Sequence, residues 1–281
     1  MSKLIEIDAE SYHAARGLHM TSHRMIAARS SVADFIADAR SGKSDTSSLY
    51  FGRASHVYTL EGAERFHQEY VVGGPVNPKT GKCYGANTKK HREWAATQPL
   101  PSITTEEFAL IERMDRSVKG KKAARQLLED GKPELTGRLE IEGVPCQVRL
   151  DWLTNNPPRI VDYKTCSDIS TIAIDCERYS YPIQQAFYRQ CVERLIGIRC
   201  PVYLIWCEKS EDATSVVWRL DDDRLDEEAA KNTETIRKVK SVFFQLVKEK
   251  QRCQQVPSST TSKPMPNHHP LQPEPETASA I

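Results

Sequence analysis

The sequence lacks several features that would place the protein in a specialised class. No apolar run approaches the roughly 20 residues of a membrane helix, and the first residues lack the basic-then-apolar order of a secretion signal. We therefore expect a cytoplasmic protein with no membrane partner. None of the eight cysteines forms a Cys-X-X-Cys pair, so we expect reduced thiols and no iron–sulfur cluster. The sequence also has no large excess of one charge, with 39 Lys plus Arg and 38 Asp plus Glu. Any contact with nucleic acid must therefore be made by local basic patches.

The length and composition are those of a globular protein with one large domain. The chain has 281 residues, of which 39% are hydrophobic, and this is enough to bury a sizeable core. We predict one domain over 1–255, with a mostly helical part at 1–130 and a catalytic core at 131–255. The remainder holds six prolines and seven Ser or Thr from position 257 onwards, so we predict a disordered tail at 256–281.

The hydrophobic periodicity changes near the middle of the chain. Helical spacing dominates the first part, where Thr104 and Glu107 form a capping box. Then follow a three-stranded meander, a helical crossover, two further strands and a long closing helix. The predicted ranges are strands at 134–140, 144–152, 160–165, 202–207 and 215–219, and helices at 170–178, 181–196 and 222–251. The first two strands are joined at Glu142-Gly143, a dipeptide suited to a tight hairpin turn.

Two neighbouring strands carry an acidic and basic pattern. Side chains two apart in a strand share a face, so Asp162 and Lys164 should point the same way. If Asp151 lies on the neighbouring strand, the two carboxylates form a hard oxygen site that suits Mg²⁺ or Mn²⁺ and not zinc. Lys164 would then lie beside a metal-bound water, where an ammonium group stabilises developing negative charge.

The Asp-X-Lys pattern by itself is weak evidence. It occurs a second time at Asp130-Gly131-Lys132, which we interpret as a solvated glycine turn. The alternative interpretation of Asp162 and Lys164 is an exposed ion pair on an edge strand.

Further polar residues occur at spacings that fit the same site. Gln184 and Tyr188 are four apart and so share a helix face, His56 lies on a short predicted helix, and Glu134 opens the first strand of the meander. Each also has an ordinary alternative: the polar edge of a half-buried helix, a packed histidine, and a surface charge at a strand end.

The order of these residues resembles that of a nuclease family. The pattern resembles that of the PD-(D/E)xK superfamily. In chain order it consists of Gly52-X-X-X-His56, an acidic residue, Asp151, Asp162-X-Lys164 and Gln184-X-X-X-Tyr188. Within that superfamily it is most similar to the RecE-like exodeoxyribonuclease branch (exodeoxyribonuclease VIII), which is related to RecB-type nuclease domains and lambda exonuclease. The resemblance covers about residues 10 to 250, and it departs from the family pattern in having Leu150 where proline precedes the first aspartate.

The resemblance implies a fold and a set of site residues. The fold is a restriction-endonuclease-like α/β core, with a mixed central sheet flanked by helices and a helical N-terminal region. The implied metal ligands are His56, Asp151, Asp162 and, as the weakest match, Glu134, with the main-chain carbonyl of Tyr163. The implied catalytic residues are Asp151, Asp162, Lys164, Gln184 and Tyr188, of which Lys164 would position the attacking water.

The activity that the resemblance implies is a Mg²⁺- or Mn²⁺-dependent DNA exonuclease. It would hydrolyse phosphodiester bonds from the ends of double-stranded DNA in phage-type or recombinational processing, with a single-strand annealing protein as partner and a ring-shaped homo-oligomer as assembly. Two alternatives remain open. One is a different nuclease activity on the same fold, such as endonuclease cutting or spacer trimming, and the other is a catalytically silent DNA-binding accessory protein.

Positive charge is concentrated just before the meander. The segment 116–125 holds five basic residues in ten, and the candidates for contact with a phosphate backbone are Lys119, Lys121, Lys122 and Arg125. A solvated helix face is the alternative interpretation of this segment.

Overall fold

A mixed β-sheet forms the centre of the molecule. The computed structural model describes residues 4–41 and 46–255, so the predicted tail at 256–281 lies outside the described residues. Within that part of the chain the main sheet has six strands, in the spatial order β1 (Ile5–Glu6), β4 (Gly131–Ile141), β5 (Val144–Thr154), β6 (Ile160–Cys166), β7 (Val202–Glu208) and β8 (Ser215–Arg219). β6 and β7 run parallel, and the other neighbours are antiparallel. Two short parallel strands, β2 (Val71–Val72) and β3 (Ser102–Ile103), form a separate sheet.

Helices precede, interrupt and close the sheet. In the part of the chain described they are α1 (Ala9–Ala14), α2 (Ser22–Ser30), α3 (Val32–Arg40), α4 (Ser47–His56), α5 (Ala63–Glu69), α6 (Lys89–Ala95), α7 (Thr105–Gly120), α8 (Lys122–Leu128), α9 (Ile172–Arg178), α10 (Tyr181–Ile196) and α11 (Asp222–Gln255). A π-helical turn, Val57–Glu61, continues α4. No helix among the described residues is both long and apolar enough to cross a membrane.

Each face of the sheet has its own hydrophobic core. The α10-side core lies between the sheet and α2, α3, α10 and α11, and it contains Phe35, Phe187 and Phe243. The α4-side core lies between the opposite face and α4, α7 and α8, and it contains Phe51 and Met114. A mixed sheet covered on both faces by helices confirms the predicted restriction-endonuclease-like α/β class.

The predicted elements of the second half are present with small changes at their ends. The helix predicted at 181–196 has those bounds, and the strands at 134–140 and 144–152 extend to Gly131–Ile141 and Val144–Thr154. Glu142 and Gly143 both have positive φ, 53° and 71°, as a two-residue hairpin turn requires. The capping box of Thr104 and Glu107 is formed.

The interpretation of Asp130-Gly131-Lys132 as a solvated glycine turn was wrong in one respect. β4 begins at Gly131, so Lys132 lies in a strand, where it pairs with Glu6 at 2.6 Å. The short strand β1, which the sequence did not predict, provides that partner. The pair is exposed, as expected for a solvated position, since 58% of the Lys132 side chain is accessible.

Candidate active site

The site begins where two strands of the sheet separate. β5 and β6 pair only at Trp152–Val161 and Leu153–Ile160, and the next facing positions, Asp151 and Asp162, are no longer paired. Oδ2 of Asp151 instead accepts a hydrogen bond of 3.0 Å from the backbone N–H of Tyr163. A side chain thus replaces the missing ladder bond, and this satisfies the amide that the separation would leave unpaired.

The alternation of side chains is interrupted at Asp151. Leu150 lies in the α10-side core, whereas Trp152, two residues later, lies in the α4-side core. A regular strand would put both on one face. On the other side of Asp151, Glu134 faces it from β4 with a φ of 57°, a conformation that is uncommon for a residue other than glycine. These two local distortions turn the carboxylates of Asp151 and Glu134 toward one another.

His56 completes a cluster of three ligand groups. It is the last residue of α4, and its Nε2 lies 3.4 Å from Oε1 of Glu134 and 3.4 Å from Oδ2 of Asp151. α4 is tied to the sheet beside it, because the Ser55 and Tyr163 hydroxyls are 2.8 Å apart. One ligand atom from each of His56, Glu134 and Asp151 lies within 4.8 Å of the others, the sole group of this kind among the described residues.

The three groups of this cluster shift one another's pKa values. Burial alone would lower the pKa of His56, but the Asp151 and Glu134 carboxylates raise it to about 9. Burial raises the pKa of Glu134 to about 7, against the opposing charge of His56. Burial also acts to raise the pKa of Asp151, but the neighbouring His56 imidazole outweighs it, so this pKa is lowered. The charge of each group thus depends on the other two, and their deprotonated forms are the ones that bind metals.

Arg149 borders this cluster. Its Nε pairs with Oε2 of Glu134, the carboxylate oxygen that does not face His56. The guanidinium lies over the ring of Tyr12, 5.4 Å from its centroid. One cation thus offsets part of the cluster's negative charge.

Asp162 and Lys164 lie beside the cluster as a buried pair. As predicted from the strand period, they share a face, and Nζ of Lys164 is 2.5 Å from Oδ2 of Asp162. Nζ also donates to Oε1 of Gln184 at 3.3 Å and lies 4.6 Å from the ring centroid of Tyr181. Asp162 is not in the three-residue ligand group, and its carboxylate pairs with Lys164 instead. Its assignment as a metal ligand stays a prediction, as does that of the Tyr163 carbonyl.

The charges of Asp162 and Lys164 depend on their surroundings. Burial and the nearby charge of Asp151 raise the pKa of Asp162 to about 6. Burial disfavours the ammonium of Lys164, but the Asp162 and Asp151 carboxylates more than compensate and raise its pKa above its ordinary value. The two carboxylates therefore stabilise the ammonium form of Lys164.

The helix pair Gln184 and Tyr188 extends from Lys164 into the molecule. Nε2 of Gln184 donates to the hydroxyl of Tyr188 at 3.4 Å, and Oγ of Ser22 donates to the same hydroxyl at 3.3 Å. The spacing of four residues predicted their shared face correctly. The chain of contacts fixes the amide that receives the Lys164 hydrogen bond.

The donor set of the cluster fits a hard divalent cation. Two carboxylates and one imidazole offer oxygen and nitrogen ligands and no thiolate, which favours Mg²⁺ or Mn²⁺. The three ligand atoms already face one another, and the buried like charges of Asp151, Glu134 and Asp162 make a compensating cation favourable.

The four basic candidates lie apart from these contacts. Lys119 is at the end of α7 and pairs with Asp115 at 2.7 Å, Lys121 links the two helices, and Lys122 and Arg125 belong to α8. All four are exposed. Their contact with DNA stays a prediction.

The sequence interpretation missed three residues that border the site. They are Arg149, Tyr12 and Tyr181. Arg149 precedes Asp151 by two residues, and this spacing was a usable signal on a strand. No local pattern identifies Tyr12, because its contact joins positions far apart in the sequence.

Structural comparison places this fold among known proteins. A candidate exonuclease from Eubacterium rectale has a similar structure, with a TM-score of 0.62 over 95% of this chain and 97% of that chain, at 14% sequence identity. A phage-related exonuclease from Haemophilus somnus matches over 83% of this chain and 96% of that chain at 15% identity, but its TM-score of 0.34 is too low to indicate a shared fold. No curated protein matches the sequence significantly.

A family model matches most of the chain. Residues 24–259 match the PDDEXK-like domain of unknown function (DUF3799). That range contains every predicted site residue, and together with the fold it supports a nuclease. The chain therefore belongs to the PDDEXK-like DUF3799 family, within the PD-(D/E)xK nuclease superfamily.

Proposed function

We propose that the protein is a divalent-metal-dependent exonuclease that hydrolyses phosphodiester bonds from the ends of double-stranded DNA. The observation that carries this proposal is the convergence of His56, Glu134 and Asp151 beside the Asp162–Lys164 pair. The similarity to the RecE-like branch favours exonuclease over endonuclease activity. The same similarity is our reason to propose a cytoplasmic ring-shaped homo-oligomer that acts with a single-strand annealing protein.

The cluster would hold Mg²⁺ or Mn²⁺ through His56, Glu134 and Asp151, with Asp162 as a further ligand. A cation bound there lowers the pKa of a water molecule and withdraws charge from a phosphoryl oxygen. Arg149 keeps Glu134 turned toward the cluster, and the N–H of Tyr163 keeps Asp151 in place. The protein thus presents its ligands in a fixed arrangement.

Lys164 would stabilise the negative charge that develops during phosphodiester hydrolysis. Its raised pKa keeps it protonated, and Asp162, Gln184 and the Tyr181 ring hold its ammonium group. A preoriented cation of this kind needs no reorganisation as charge builds up. The exposed residues Lys119, Lys121, Lys122 and Arg125 are proposed to contact the DNA backbone.

A cleavage assay with defined ends tests the proposal. Purified protein is incubated with end-labelled linear duplex, covalently closed circular DNA or single strands, in Mg²⁺, Mn²⁺ or EDTA. The inactivating variant is Asp162→Ala. The matched control is Asp130→Ala, which removes the aspartate of the other Asp-X-Lys copy, where Asp130 only accepts a hydrogen bond from Asn155 at the surface.

We expect loss of linear duplex that requires metal, persists in Asp130→Ala and is abolished in Asp162→Ala. Cutting of closed circles would assign an endonuclease to the same fold. Binding of DNA without metal-dependent cleavage of any substrate would contradict the proposal and assign an accessory protein.

A further inference from the structure

Arg149 is held rigidly although its side chain is not fully enclosed. The Nε atom pairs with Glu134, and the Cζ atom lies over the Tyr12 ring, so the guanidinium is held from two directions. Tyr12 is itself fixed, since its backbone carbonyl accepts a hydrogen bond of 3.0 Å from Gln147. The side chain of Arg149 is 16% exposed. It is therefore prepared for a partner that arrives from solvent.

Among the described residues, no hydrogen bond or ion pair involves the two terminal amino groups of Arg149. Within the described part of the chain, the guanidinium pairs with Glu134 through Nε and lies near the Tyr12 ring, and its charge also acts to lower the pKa of Glu61. This leaves the Nη1 and Nη2 fork, whose N–H groups match two oxygens of a phosphate group. Other arginines of the fold use these atoms: Arg189 donates through both amino groups to the start of α11.

The fork lies next to the metal-ligand cluster. A single carboxylate, that of Glu134, contacts His56 through Oε1 and Arg149 through Oε2. The guanidinium is thus separated from the cluster by the width of one carboxylate group. An anion that contacts both must be small, and a phosphate ester has that size.

We propose that Arg149 binds the phosphate group at the bond to be cleaved, through two hydrogen bonds from its terminal amino groups, and that Tyr12 positions it. This inference rests on the proposed function for the identity of the substrate as DNA. It adds a second cation, besides Lys164, that would contact the substrate. It also gives Arg149 a role beyond orienting the Glu134 carboxylate.

The test measures phosphate binding separately from metal binding and from cleavage. The probe is thymidine 3′,5′-bisphosphate, which has no phosphodiester bond for the proposed reaction to hydrolyse. Isothermal titration calorimetry first gives the Mn²⁺ affinity of each protein, and the probe is then titrated at a Mn²⁺ concentration that saturates that protein. The variants are Arg149→Ala, Arg149→Lys and Tyr12→Ala. The control is Arg40→Ala, which removes an exposed cation that pairs with Glu249 at 3.1 Å and makes none of the contacts above.

We expect Arg149→Ala to raise the Kd for the probe on the order of tenfold or more, as for loss of charge-assisted hydrogen bonds. Arg149→Lys keeps the charge but loses the fork, so its Kd should lie between those of Arg149→Ala and the unchanged protein. Tyr12→Ala should weaken binding less than Arg149→Ala, and Arg40→Ala should stay within about twofold of the unchanged protein.

Two results would overturn the inference. If Arg149→Ala weakens only Mn²⁺ binding and leaves the Kd for the probe unchanged at saturating Mn²⁺, Arg149 merely holds Glu134. If Arg149→Lys binds the probe as tightly as the unchanged protein does, the proposed pair of hydrogen bonds from the guanidinium is wrong. This variant also tests the inference if Arg149→Ala fails to fold. A protein that binds the probe through Arg149 but cleaves no DNA would contradict the proposed function and leave this inference intact.

Discussion

At the scale of single residues, surroundings decide what a short pattern does. The chain has two Asp-X-Lys copies, and in both the lysine lies on a strand and pairs with a carboxylate. Lys132 is mostly exposed and its pair is screened by water, whereas Lys164 is only 16% exposed and lies among two aspartates, an amide and an aromatic ring. Because low dielectric strengthens an electrostatic interaction, only the second lysine can contribute substantially to catalysis.

Lys164→Ala should lower kcat on linear duplex DNA by on the order of 10²–10³-fold, as for loss of one preoriented charge-stabilising group. Lys132→Ala removes the same side chain from an exposed pair and should leave kcat within about twofold. Single-turnover cleavage at saturating DNA measures both. Equal losses in the two variants would show that Lys164 has no special role in the chemistry.

Part of this site follows from the spacing of residues along the sequence, whereas the position of Asp151 does not. The strand period was enough to put Asp162 and Lys164 on one face, and the helix period was enough for Gln184 and Tyr188. The gap occupied by Asp151 was not predictable, because it depends on where β5 stops pairing with β6. Pairing is a property of two strands and leaves no signature in either one alone.

At the scale of elements, the hairpin between β4 and β5 brings Glu134 and Asp151 into opposition. The ladder extends from Gly131–Thr154 to Ile141–Val144, so the turn at Glu142-Gly143 sets the register of the whole hairpin. The sequence predicted this turn from the glycine. It did not predict the positive φ of Glu134, because no neighbouring residue in the sequence favours that conformation. Such backbone distortions are common at functional sites.

Gly143→Ala should destabilise the protein by about 1–2 kcal/mol, because φ at this position is 71° and a Cβ disfavours the left-handed region. Urea unfolding with and without the substitution measures the change. Metal affinity should stay unaltered, because the register of ten paired positions maintains the opposition of Glu134 and Asp151. A variant with unchanged stability but weaker metal binding would contradict this separation of roles.

At the scale of the whole molecule, the shifted pKa values of the site make the stability depend on pH. The pKa values of Glu134, Asp162 and His56 are raised, to about 7, 6 and 9. Groups with raised pKa stabilise the fold below their unfolded pKa values and lose that contribution as the pH rises through the folded values. The lowered pKa of Asp151 acts in the opposite direction, but only near and below its ordinary value of 3.8.

The metal-free protein should therefore become less stable as the pH rises from about 5 to 9. Thermal unfolding in EDTA across this range measures the trend as a falling Tm. Combining His56→Ala with Glu134→Gln removes two of the three groups, so the slope should flatten in that variant. A Tm that rises over the interval would contradict the assigned pKa directions.

Divalent metal should reverse this trend, because it binds the deprotonated ligands. Mn²⁺ at 100 times its Kd should stabilise the folded protein by about 2.7 kcal/mol, and the gain at a fixed Mn²⁺ concentration should be larger at pH 8 than at pH 6. Thermal unfolding with and without Mn²⁺ checks both statements. Glu134→Gln is the control that loses a ligand, and a pH-independent gain would indicate binding elsewhere.

The separation of β5 from β6 also decides from which direction a substrate reaches the catalytic groups. His56 comes from the helix layer on the α4 side, whereas Asp162 and Lys164 face the α10 side. Groups from opposite layers can act on one phosphate only where no backbone lies between them. On the proposed function, the scissile bond would then enter along the plane of the sheet, into the opening between the two strands. A change that extended the pairing of β5 and β6 by one residue pair, to Asp151 and Asp162, would close this opening. The groups on the two faces of the sheet would then be separated by backbone.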